Sequence, residues 1–115
     1  FIGFQDLLVM KVSSIKNAVL IVLDKNDNLN SLKSEISNDN YSKHNIIIDL
    51  NNTSVKDFLI FFKTLENIQK NKNKSLVFLN KNIDNWSEEF NSIPTLQEAI
   101  DFIDLEEIER DLNSL

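Results

Sequence analysis

The sequence predicts an α/β domain on a mixed, mainly parallel sheet of about four or five strands, with about three or four helices. Three observations carry this expectation. Asn45-Ile46-Ile47-Ile48-Asp49-Leu50 and Ser75-Leu76-Val77-Phe78-Leu79-Asn80 are short apolar runs, and residues 55–71 between them repeat at helical spacing. Two such strands joined by one helix form a βαβ unit, which implies a parallel pair and a right-handed crossover. Residues 11–15 and 18–23 are strand-like and meet at Lys16-Asn17, which predicts an antiparallel hairpin. Thr95-Leu96-Gln97-Glu98 has the form of a capping box and opens a final helix. The expected order is β-β-α-β-α-β-(β)-α.

In chain order, Met10 reads as a natural start, and the apolar residues 1–9 read as an extension of uncertain status, leaving 10–115 as one domain. After the hairpin, Asn28 is placed to cap a short helix whose apolar positions are Leu29, Leu32 and Ile36. The central strand follows, then a turn over residues 51–54. Ser54 is the expected N-cap of the long helix, and Asp57 is the carboxylate that favours its dipole. Phe58, Phe61, Phe62, Leu65 and Ile68 form the expected buried stripe. Residues 83–90, with Trp86 and Phe90, fit no single element, and residues 91–93 read as a last short strand. The closing helix has the stripe Leu96, Ala99 or Ile100, and Ile103. The phase then slips before Leu105, Ile108 and Leu112, which predicts a bend or a second helix near Asp104-Leu105.

Composition excludes several chemistries. The chain has 115 residues, enough for one core without staples. With no Cys, it has no disulfide, thiolate-metal site or Cys nucleophile. Its one His, His44, is too few for a hydrolase that holds its metal by several His ligands. Gly3 is the one glycine and Pro94 the one proline, so no Gly-rich phosphate loop can be written. A net charge of −6 and a pI near 4.7 argue against general nucleic-acid binding and fit a basic or neutral partner. No apolar run reaches the ~20 residues of a membrane span. Residues 1–9 lack a basic leader and a small-residue cleavage site, so no signal peptide is expected, and cytoplasmic is the expected location.

Asp49-Leu50-Asn51 at the end of the central strand, with Asp57 opening the next helix, is similar to the central segment of STAS domains, the fold of bacterial anti-sigma factor antagonists. Ile93-Pro94-Thr95-Leu96-Gln97-Glu98-Ala99-Ile100 resembles the family's closing strand and helix. The resemblance spans residues 11–112 and implies a STAS-like fold and a regulatory, non-enzymatic module that binds another protein. Family members carry Ser-Ser-Gly after the loop Asp, whereas this chain has Phe58-Leu59-Ile60 after Asp57. The phosphorylated serine is absent, and the switch that places negative charge at a helix start inside an interface is not carried over. A closer resemblance is to small STAS-like proteins of Bacteroidota often labelled ribonuclease Z. True ribonuclease Z needs a His-rich metal cluster, and this chain has His44 alone. The label implies at most an accessory of tRNA 3′-end processing, not the nuclease.

The leading candidate site is the turn after the central strand: Asp49, Asn51, Asn52, Thr53, Ser54 and Asp57. In parallel sheets such turns gather at the carboxyl ends of the strands, where ligands and partners bind. The same polar groups also suit capping and turn closure. His44 reads as a surface histidine. Asp101, Asp104, Glu106, Glu107, Glu109 and Asp111 read as a solvated face or, if they bind, as a contact for a basic partner. Lys63, Lys70, Lys72 and Lys74 suit the negative end of the long helix and give little support for RNA contact. No catalytic residue, metal or cofactor is expected, since no nucleophile-base pair or phosphate loop can be assembled. A protein is the expected partner, with no membrane.

Overall fold

The computed structural model describes residues 11–24, 29–36, 43–51, 59–80 and 92–114. They form five strands and three helices. The strands are β1 (Lys11–Ser14), β2 (Val19–Val22), β3 (Ile46–Asp49), β4 (Leu76–Leu79) and β5 (Ser92–Ile93). The helices are α1 (Leu29–Ile36), α2 (Leu59–Asn71) and α3 (Leu96–Asn113). The expected hairpin, βαβ unit, late short strand and capped final helix are all present. The extension at residues 1–9, the Asn28 cap, Phe58, Trp86 and Phe90 lie outside the described residues.

The sheet runs in sequence order, β1-β2-β3-β4-β5. The hairpin closes as expected around Lys16-Asn17, with Ile15 N–H donating to the Ala18 carbonyl at 2.9 Å. β1 lies antiparallel to β2, and β2 through β5 are parallel neighbours. The parallel ladder to β5 is only two residue pairs long, Phe78 with Ser92 and Leu79 with Ile93. The sheet is therefore mixed, one antiparallel pair beside three parallel ones.

Strand alternation divides the core into two layers. Ile21, Ile46, Ile48, Leu76 and Phe78 face one way and pack with Leu32 of α1 and with Phe62 and Leu65 of α2. Ile47, Val77 and Leu79 face the other way and pack with Ala99 and Ile103 of α3. Successive residues of a strand point to opposite faces, so strands buried on both sides must be apolar throughout, as Ile-Ile-Ile and Leu-Val-Phe-Leu are. Two crossovers of one hand, stepping β2 to β3 to β4, put α1 and α2 on the same face. α3 returns across the other.

Two expectations about the helices are corrected. On α2 the buried residues are Phe62, Leu65 and Gln69, while Ile68 is exposed and Phe61 half-buried. Gln69 continues the i, i+3, i+7 line that Phe62 and Leu65 begin, and its amide has carbonyls to bond there. α3 is one continuous helix of 18 residues, with no break into a second helix at Asp104-Leu105. The apolar phase slips because apolar packing on the sheet ends at Ile103; beyond it Glu107 and Arg110 reach Asn45 and Ser75 by hydrogen bonds. α2 ends in a Schellman motif: Lys74 N–H donates to the Gln69 carbonyl at 2.8 Å and Asn73 N–H to Lys70 at 3.1 Å. Asn73 takes φ 59°, the left-handed conformation this motif requires. Among the described residues no helix is long and apolar enough to cross a membrane.

Candidate functional site

β3 is the middle strand of the sheet, and Asp49 is its last residue. Its neighbours in register are Val22 of β2 and Leu79 of β4. The backbone remains paired across this end: Leu23 N–H donates to the Asp49 carbonyl at 3.1 Å, and Leu50 N–H to Leu79 at 2.9 Å. Asp49 is half-buried, and its Oδ1 accepts from Asn51 N–H at 3.0 Å. A carboxylate bonding the N–H two residues on is an Asx turn, which directs the chain out of the sheet. Asn51 is exposed. Asn52, Thr53, Ser54 and Asp57 lie outside the described residues. Two of the six candidates are thus located, both at the carboxyl end of the parallel strands.

A denser polar cluster sits at the opposite, amino end. Asn45, just before β3, is buried, and its Nδ2 donates to the Asn17 carbonyl at 2.9 Å and to Glu107 Oε1. Its Oδ1 accepts from Ser75 N–H at 2.8 Å. One side chain thereby ties the start of β2, the start of β4 and α3. Gln69 Nε2 donates to the carbonyls of His44 and Ser75, each at 3.1 Å. Both terminal nitrogens of Arg110 donate to Ser75 Oγ at 3.2 Å. Asn17 Nδ2 reaches Asp104 Oδ1 at 2.8 Å, and Lys16 reaches the same carboxylate at 3.4 Å.

Three clefts open around this cluster, of about 330, 540 and 300 Å³. The first lies between α2 and α3 and is lined by Glu66, Lys70, Lys74 and Arg110 among others. Charges of both signs line it, so it presents no field that selects one ion. Its polar contacts join helix to sheet and assemble no nucleophile with a base. Sequence reasoning missed this cluster. The one available signal was Arg110, the only arginine in the chain.

The remaining candidates are dispersed. His44 is exposed, and its carbonyl serves Gln69. Lys63, Lys70 and Lys72 are exposed and Lys74 half-buried, all on α2 or the turn after it. Among the described residues no group of three or more His, Asp or Glu is placed to hold a metal ion. No family model matches the sequence, and no curated protein or solved structure matches it.

Proposed function

We propose that this chain is a non-enzymatic, STAS-like module that binds a regulatory protein partner through the turn after β3. The observation that carries the reading is the position of Asp49. It ends the middle strand, flanked by parallel strands, and its Asx turn starts the polar segment that runs to Asp57. Loops at the carboxyl ends of parallel strands are the usual binding edge of such sheets. Further support comes from the element order, β-β-α-β-α-β-β-α, and from the capped helix that follows Ile93-Pro94. Without a serine after Asp57, the module would act by occupancy and not by phosphorylation. A cytoplasmic location belongs with this reading.

The test is affinity capture from the host with the tagged protein and an Asp57→Lys variant, read by mass spectrometry. The reading expects one partner that the charge reversal removes. A partner retained at full yield by Asp57→Lys would put the binding site elsewhere. Ribonuclease Z as the recovered partner would favour the tRNA-processing accessory over a sigma-factor type of regulation.

A further inference from the structure

The second half of α3 has two opposite faces of different character. Ala99 and Ile103 are buried in the core, and Glu107 and Arg110 extend that side to the amino-end cluster. At ~100° per residue, Leu105, Ile108 and Leu112 fall together on the far side of the helix. They are 60%, 55% and 62% exposed. Single exposed leucines are ordinary. Three at i, i+3 and i+7 on one side of one helix are the a and d spacing of a helix-pairing seam. The slip in apolar phase is therefore a change of face along one continuous helix: the sheet side first, then the exposed side.

The charges beside the seam decide what would pair with it. Asp101 lies one turn before Leu105, and Glu109 and Asp111 flank the seam; all three are exposed. Of the cations beside α3, Lys16 lies against Asp104, Arg110 donates to Ser75, and Lys74 lines the cleft on the side of Glu107 and Arg110, the sheet side of the helix. A second copy of α3 laid on this seam would set carboxylate against carboxylate, which disfavours pairing. A helix with apolar a and d positions and lysine or arginine beside them matches both the stripe and its rim. We propose that Leu105, Ile108 and Leu112 form a docking surface for a basic amphipathic helix of a partner protein. This surface is separate from the turn after β3 and does not depend on it.

The test is fluorescence anisotropy of the full chain with three labelled synthetic helices. One has Leu/Ile at a and d with Lys at e and g; the second has Glu in place of Lys; the third scrambles the first. The first should bind, weaken steeply as salt rises, and lose at least about tenfold in affinity to Ile108→Lys. The Glu helix and the scrambled helix should not bind. Equal binding of the first and scrambled helices, or full binding by Ile108→Lys, would overturn the proposal. So would a dimer in sedimentation equilibrium that Ile108→Lys dissociates, which would assign the seam to a second copy. Ile108 is exposed, so the variant should melt within about 3 °C of the parent. A larger fall would show that the chain covers the seam itself and would also overturn the proposal. Leu105→Gln with Leu112→Gln repeats the affinity measurement without adding charge.

Discussion

Replacing Asn45 by Ala should cost far more stability than its size suggests. Asn45 is 3% exposed, and its side chain makes three hydrogen bonds: to the Asn17 carbonyl, to Glu107, and from Ser75 N–H. Ser75 is also 3% exposed, so water cannot easily reach the donor left behind. An orphaned buried donor costs about 1–3 kcal/mol. The Asn17 carbonyl and Glu107 sit in partly buried residues, where water replaces part of what is lost, and each adds roughly 0.5 kcal/mol. The total is about 3 kcal/mol, which for a domain of this size lowers Tm by roughly 10 °C. Urea unfolding followed by circular dichroism should show a lower midpoint with an unchanged slope. Asn45→Asp separates bonding from volume: it keeps the shape but sets a second carboxylate beside Glu107, and it should cost at least as much at neutral pH. A loss below about 1 kcal/mol for Asn45→Ala would refute the claim that this side chain joins β2, β4 and α3.

Two further predictions test the frame that holds both surfaces. Phe62 is fully buried with its ring centroid 4.7 Å from that of Phe78, so Phe62→Ala should cost about 3–5 kcal/mol, read by the same urea titration. Asn73 holds φ 59° at the end of α2; Asn73→Gly should match or exceed the parent in thermal melting, whereas Asn73→Ala should lose about 1 kcal/mol.

The architecture was legible because β2, β3 and β4 are short apolar runs with clear ends. Ile46-Ile47-Ile48 and Leu76-Val77-Phe78-Leu79 are apolar at every position, which marks strands covered on both faces. Thr95 was legible for a local reason: its hydroxyl accepts from Glu98 N–H three residues on, at 3.2 Å. The continuity of α3 was not legible, because apolar periodicity reports what a helix packs on and not whether it continues. Helical spacing of apolar residues points to Ile68, yet the buried residue is Gln69, whose amide serves the His44 and Ser75 carbonyls. The amino-end cluster was invisible because its partners are distant in sequence: Asn17 and Asp104 are 87 residues apart, Asn45 and Glu107 are 62 apart. Pattern reading has no access to pairs at that range. Of the turn after β3, Asp49 and Asn51 stand where the strand end predicted them.

The most direct measurement of the central claim is quantitative affinity capture from the host with three baits side by side: parent, Asp57→Lys and Ile108→Lys. The account predicts a partner held by the parent and by Ile108→Lys but lost with Asp57→Lys, because the turn after β3 and the seam on α3 are separate surfaces. Full retention by Asp57→Lys would contradict it.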